Sequence, residues 1–237
     1  MSVRNSSPQS SVEAASGTDP AEPDVRTIPT PVGDARATLY PAPGTVRGWF
    51  VASHGAGGGI EARDLAALAA ALPPLGVTVA LVEQPWRVAG KKLAPAPKRL
   101  DEAWIPIVDA LKADMAGARF AVAGRSAGAR VACRTAAATG AAGVVALAFP
   151  LHPPGKPAAS RADELLGAGV PTLVLQGDRD PFGGPDEFPA LGATGTLTPV
   201  PHADHGFAVA KRAPVSQDET LKTITDAAGT WLVKLLG

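Results

Sequence analysis

A single cysteine, a single tyrosine and a balance of charge leave this 237-residue chain with few of the usual handles for recognition. The lone thiol, Cys133, excludes an intramolecular disulfide and is compatible with a reducing compartment. Lys plus Arg and Asp plus Glu number 22 each, so no net field draws the chain to nucleic acid or to an anionic membrane. The short basic spots Lys91-Lys92 and Lys98-Arg99 read as solvated loop. No uncharged apolar run reaches the roughly 18 residues needed to cross a bilayer. The stretch from Met1 to Val25 is rich in Ser, Ala, Pro and acids and lacks the apolar core of a signal peptide. It reads as a disordered tail, which leaves 26–237 as one domain able to bury a sizeable core. On these grounds the expected location is cytoplasmic, with neither nucleic-acid nor membrane partners. Gly and Pro are plentiful, at 26 and 24, but follow no fixed period that would mark a repeat.

What is present is an alternation of apolar runs with helix-like segments. Strands are expected at 36–40, 48–53, 77–82, 120–123, 144–149, 172–176 and 195–200. Several are rich in Val and Leu without polar alternation, as suits strands buried on both faces of a parallel sheet. Pro199 obliges the last of them to be an edge strand or to end there. Helices are expected at 61–72, 100–115, 127–139, 159–166 and 216–236, with Pro106 kinking the second or delaying its start. Ile224, Ala228, Trp231, Leu232 and Leu235 recur at helical spacing, a stripe that reads as core packing. The alternation predicts an α/β fold, a mostly parallel sheet with helices on both faces and the strand-to-helix loops gathered on one edge. The stretch 150–171 is too short for a large helical cap, so a minimal cap or none is expected. The loop 84–99 either covers a pocket or is exposed linker.

Chemistry concentrates on the predicted loop edge. Gly124-Arg125-Ser126-Ala127-Gly128 sits between an apolar strand and an Ala-rich helix. That is the setting of a nucleophile elbow, in which a sharp turn lifts a Ser hydroxyl clear of the sheet. Upstream, His54-Gly55-Ala56-Gly57-Gly58-Gly59 follows a strand but lacks the Gly-Lys-Ser/Thr ending of a phosphate loop. It fits the loop that donates a second N–H to an oxyanion hole, with Ala56 first and Gly57 next as donor, paired with Ala127. His54 itself is expected to hold that loop by side-chain hydrogen bonds.

Beyond the strand ending at Gln176, Asp178 and Asp180 are candidate acids. Asp180 is favoured because the following Pro181 restricts its backbone. Of the four His, two fall in Pro201-His202-Ala203-Asp204-His205-Gly206. His205 is favoured as the base, since Gly206 leaves it room, and the chain order Ser, acid, His is that of the α/β-hydrolases. A metal site from His202, Asp204 and His205 is the rival reading, without helical His spacing or Cys partners to strengthen it.

These motifs, with Gly177 to Gly183, Asp204-His205-Gly206-Phe207, Phe149 to Gly155 and Gly90-Lys91-Lys92, occur together and in order. Jointly they resemble the small α/β-hydrolase-like family that includes testis-expressed and NSL-complex subunit proteins. More distantly the chain is similar to dienelactone hydrolases, with Ser126 where those use Cys. The resemblance covers roughly 27–237, with mild departures at Ala123 and Ala129, where such elbows often carry further Gly. It implies an α/β-hydrolase fold and a catalytic triad of Ser126, Asp180 and His205. The expected activity is that of a serine esterase on a small-molecule acyl substrate, through an acyl-enzyme and without cofactor or metal. A non-catalytic binding or scaffold module on the same fold is the alternative. The expected substrate pocket is shallow and shaped by Trp86, Arg87, His152 and Phe182. Arg87 either attracts an acidic substrate or pairs with Glu83 or Asp101. Nothing in the pattern assigns an oligomeric state.

Overall fold

The apolar runs can be buried on two faces only in the middle of a layered structure, and that is where they lie. The computed structural model describes residues 24–237. Its strands are β1 (Asp24–Ile28), β2 (Ala35–Tyr40), β3 (Gly48–Ser53), β4 (Val77–Glu83), β5 (Phe120–Arg125), β6 (Gly143–Leu147), β7 (Thr172–Gly177) and β8 (Gly195–Val200). They form one sheet in the order β1-β2-β4-β3-β5-β6-β7-β8. The pairs β1/β2 and β2/β4 are antiparallel, and every pairing from β4 through β8 is parallel. All residues of β3, β6 and β7 are buried, as suits their mainly apolar character, with the polar Ser53, Thr172 and Gln176 at or near strand ends. Pro199 falls in β8, the edge strand, where a missing ladder donor is tolerated.

The helices are α1 (Arg63–Ala71), α2 (Pro85–Val88), α3 (Pro97–Met115), α4 (Ala127–Thr139), α5 (Ala162–Leu166) and α6 (Gln217–Leu236). Trp104, Ile107, Val131 and Ala132 from α3 and α4 pack with Val122 and Val144 on one face of the sheet. Leu65 and Leu68 of α1 meet Ile224, Ala228 and Leu232 of α6 on the other. Ser216 caps α6 reciprocally: its Oγ accepts from the Glu219 N–H at 3.2 Å, and its own N–H donates to Glu219 Oε2 at 2.7 Å. Between β6 and β7 stands only the single short helix α5, so the fold has no cap domain.

Three features depart from the expectations. Residues 1–23 of the expected tail lie outside the described residues, but Asp24 and Val25 open β1, where Val25 registers with Thr38 of β2. The pairing partner, absent from any local reading, makes these residues part of a strand. Second, Pro85–Val88 form a short helix rather than loop. Third, α3 starts at Pro97 and continues through Pro106 to Met115. Pro97 suits the first turn, where its lack of an N–H costs nothing, and the apolar face anchored by Trp104 and Ile107 carries the helix past the second proline. Among the described residues no helix is long and apolar enough to cross a membrane.

Pro106 removes one backbone donor from the middle of α3 and costs the helix heavily relative to alanine, an amount partly offset by the stiffer unfolded chain. Pro106→Ala is therefore expected to raise the unfolding free energy by about 2 kcal/mol. Urea denaturation of the two proteins checks this, and an unchanged or lower midpoint would refute it.

Candidate active site

The elbow stands at the centre of the sheet, where β5 lies between β3 and β6. The chain leaves β5 at Arg125, and Ser126 takes φ 53°, ψ −111° before α4 begins at Ala127. Such a positive φ at a non-glycine residue costs on the order of 1–3 kcal/mol and persists only where the surroundings enforce it. Here the Ser126 N–H donates to the Leu147 carbonyl of β6 at 2.9 Å. The flanking glycines are steric necessities. A Cβ on Gly124 would fall 2.3 Å from the carbonyl carbon of Gly128, and one on Gly128 would fall 2.6 Å from the Ser53 carbonyl oxygen of β3. Strand, turn and helix thus approach one another at backbone contact distance. Ala123 and Ala129, the departures from the glycine pattern, are fully buried with their small side chains accommodated. The first N–H groups of α4 have no partner inside the helix and are free to bind an anion.

Asp180 and His205 come to this serine from the loops after β7 and β8. The His205 Nε2 lies 2.9 Å from Ser126 Oγ, and its Nδ1 lies 2.7 Å from Asp180 Oδ2. The buried carboxylate is an acceptor, so Nδ1 carries the proton and Nε2 is free to accept from the serine hydroxyl. Asp180 also accepts from Gln176 Nε2 at 2.9 Å and, through Oδ1, from the Phe182 N–H at 2.8 Å. Gln176 further donates to the Gly183 carbonyl at 2.8 Å, so one amide closes the whole acid loop. Phe182 packs over the imidazole, ring centroids 4.2 Å apart. The competing choices lie elsewhere. Asp178 is exposed, and His202 sits 3.3 Å from an Arg179 nitrogen. Asp204 folds its own loop by accepting from the Gly206 and Ala208 N–H groups at 2.7 and 2.9 Å.

The glycine-rich loop is tied down by His54, as the sequence implied. Its Nδ1 lies 2.8 Å from the Gly55 carbonyl, and its Nε2 accepts the Gln84 N–H at 3.1 Å. A carbonyl can only accept and an amide N–H only donate, so the ring is the neutral Nδ1–H tautomer. Burial pushes its pKa below the usual 6.5. Trp86 packs against this ring at 5.4 Å.

Ala56, Gly57, Ser126, Ala127, Phe182 and His205 line one cleft of about 480 Å³. Three residues expected in the pocket do not reach it. Trp86 is buried against His54 and walls a separate cavity of about 370 Å³ beneath the 84–99 loop. Arg87 pairs with neither Glu83 nor Asp101; its guanidinium meets Glu61 at 3.4 Å. Glu83 is engaged by Arg36 and Asp101 by Arg134. His152 is buried, with Nδ1 2.9 Å from the Pro153 carbonyl and Nε2 3.0 Å from Glu187. Both neighbours are acceptors, and these bonds raise its pKa. What fills the wall instead is Pro150 with Arg125, Arg130 and Arg161. Arg125, the variable position of the elbow motif, lies 3.5 Å from buried Asp64 of α1 and donates to the His205 carbonyl at 2.8 Å. Burial raises the Asp64 pKa and the guanidinium draws it back. No local pattern marks Arg161, Arg130 or Gln176, because only the tertiary fold brings them to the serine.

A single mostly parallel sheet, an elbow serine and loops converging after β7 and β8 define the α/β-hydrolase class. The chain belongs to the family described as alpha/beta hydrolase domain, whose sequence pattern matches residues 46–233. No curated protein sequence matches it. Among solved structures it is similar to an α/β serine hydrolase without lid from Xanthomonas campestris, at 22% identity and TM-score 0.70 over 91% of this chain and 97% of that one. Est1E from Butyrivibrio proteoclasticus shares 14% identity at TM-score 0.71, covering 90% of this chain and 98% of that one. A dienelactone hydrolase from Anabaena variabilis shares 19% at TM-score 0.68, covering 91% of this chain and all, 100%, of that one. At these identities the likeness is one of fold.

Two expectations follow from this geometry. Gly124→Ala drives a methyl group into backbone rather than into a flexible side chain, so stability should fall by about 2–3 kcal/mol, measured by urea denaturation. A loss below about 0.5 kcal/mol would show that the elbow can relax. For His54 the unfolded ring takes a proton near 6.5 and the folded ring only at lower pH, so its contribution is present above that value and is lost as pH falls below it. His54→Gln should therefore flatten the stability decline between about pH 7.5 and pH 5, and parallel curves for the two proteins would contradict the assignment.

Proposed function

We propose that this chain is a serine hydrolase that cleaves an ester or related acyl compound through a covalent acyl-enzyme. The observation that carries the reading is the unbroken chain from Ser126 Oγ to His205 Nε2 at 2.9 Å and from His205 Nδ1 to Asp180 Oδ2 at 2.7 Å. In the proposed reaction Ser126 Oγ attacks the substrate carbonyl as His205 Nε2 takes the hydroxyl proton. Asp180 holds the tautomer and stabilises the imidazolium. Charge develops on the carbonyl oxygen, and the N–H groups of Ala127 and of Ala56 or Gly57 are the donors assigned to it. Losing one such donor typically costs about 10²–10³ in rate. The intermediate collapses as imidazolium protonates the departing alcohol. His205 then deprotonates a water that attacks the acyl-enzyme, releasing the acid and restoring Ser126. Every group required belongs to the chain, and no cofactor takes part.

The substrate in this reading is a small acyl compound rather than a nucleic acid or a membrane lipid, which accords with the modest cleft volume of about 480 Å³. A cytoplasmic setting accords with the one free, buried Cys133. Placement beside the testis-expressed and NSL-complex type of hydrolase-like proteins rests on the shared motifs, above all Asp204-His205-Gly206-Phe207.

Ser126→Ala is expected to lower turnover of short-chain p-nitrophenyl esters at least about 10³-fold while leaving the circular dichroism spectrum unchanged. A fluorophosphonate should label the parent protein at Ser126 and not the variant. A folded parent protein with neither turnover nor label would defeat the proposal.

A further inference from the structure

The wall of the cleft carries more positive charge than the protein neutralises. Arg125, Arg130 and Arg161 line the space beside Ser126, and Arg134 stands one turn beyond Arg130 on α4. Arg130 makes two bonds to Glu164, at 2.7 and 2.6 Å. Arg134 divides itself between Asp101, at 2.9 and 2.7 Å, and the same Glu164, at 2.9 Å. Arg125 has Asp64 at 3.5 Å. Four guanidinium groups therefore share three carboxylates. The remaining acid of the site, Asp180, is already committed to Gln176, Phe182 and His205.

Arg161 is the one left over. Its backbone N–H donates to the Leu151 carbonyl at 2.7 Å and its Nη1 to the Pro150 carbonyl at 2.9 Å, which fixes the side chain against the segment after β6. It forms no ion pair among the described residues. Only that one side-chain bond occupies a group with five N–H donors. Burial and, next, the neighbouring Arg130 lower its pKa, against a smaller opposing effect of Glu164, whose carboxylate is bonded to Arg130 and Arg134. A half-buried guanidinium on the wall of a cleft, rigidly held and lacking a carboxylate, has the geometry to receive one in a planar two-bond pair.

We propose that Arg161 is the anchor for a carboxylate on the substrate, so that the preferred substrates are esters whose acyl chain ends in a carboxylate. The inference deepens the hydrolase reading of Ser126 and rests on it for the turnover readout. Arg87, one of whose two expected roles was to attract an acidic substrate, is outside the cleft and meets Glu61, and the proposal gives that role to Arg161.

The test compares kcat/KM for p-nitrophenyl butyrate and mono-p-nitrophenyl glutarate. The parent protein should favour the glutarate, and the glutarate-to-butyrate ratio should fall roughly tenfold or more in Arg161→Gln. Arg161→Lys, which keeps the charge without the fork, should restore part of the ratio. Arg87→Gln should leave the ratio where it is in the parent. An equal ratio in the parent and in Arg161→Gln would overturn the proposal. A second readout does not need turnover. Monomethyl glutarate should bind Ser126→Ala in a calorimetric titration and should bind at least about tenfold more weakly when Arg161→Gln is added. Binding lost with Arg161 in a protein that turns over neither ester would uphold the anion site and remove the hydrolase reading. Equal affinity with and without Arg161 would remove the anion site and leave the hydrolase reading standing.

Discussion

The close approach of α4 to β5 and β3 is the constraint on which the site is built. Gly124 and Gly128 touch each other's backbone, and Gly128 touches the carbonyls of Ser53 and His54. No Cβ fits in either place. Because the helix begins this near the sheet, the intervening residue has one conformation available, the positive-φ turn of Ser126. The same contact brings the start of α4 beside the segment that continues into Ala56 and Gly57. The backbone of the candidate nucleophile and the candidate oxyanion donors are therefore set by one packing event.

Strain recurs around this point in a way that follows the topology. Non-glycine residues with positive φ include Ser126 after β5, Ala148 after β6, and His202 and Phe207 after β8. All four lie beyond the carboxyl ends of strands, on the edge where Asp180 and His205 converge. β5 and β6 are held by the ladder on both sides, so the sheet enforces the turns at their ends, whereas the edge strand β8 is held by β7 alone. Ala148 illustrates the coupling, since its N–H donates to Leu175 of β7 at 2.9 Å, just as Ser126 donates to Leu147 of β6. One strand's exit is braced by the next strand's end. The loop of the acid is joined to the loop of the histidine by similar means: the backbone N–H of Arg179 donates to the Ala203 carbonyl at 3.0 Å, and Gly177 leaves space for that carbonyl.

What could be read from the residues alone follows a physical division. The seven expected strands and five expected helices rest on local periodicity and burial, and each has a counterpart in the fold, with ends displaced by a few residues. Ser126, Asp180 and His205 were legible because glycines and a proline announce their turns. β1 was not, since Asp24–Ile28 is largely polar and owes its conformation to pairing with β2. The pocket wall was the least legible part. Trp86 and His152 looked like pocket residues by chain position, yet one packs on His54 and the other pairs with Glu187. Whether a side chain on the loop edge faces the serine is decided by contacts between distant segments, and Arg161 and Gln176 carry no local signal of theirs.

The two kinds of anion recognition assigned to this cleft have different structural sources. In the proposed reaction the donors assigned to the oxyanion are backbone N–H groups of the elbow and the glycine loop, which need no reorganisation as charge develops. A charge already present on the substrate is better met by a guanidinium, which exchanges a hydration shell for two directed bonds. Arg130 and Arg134 are held to Glu164, and Arg125 to Asp64 and the His205 carbonyl, so these three act as fixed parts of the wall. On the proposed reading geometry makes the choice: the backbone N–H groups are assigned to an oxygen on the carbon beside Ser126, and Arg161 to a carboxylate that extends away from it.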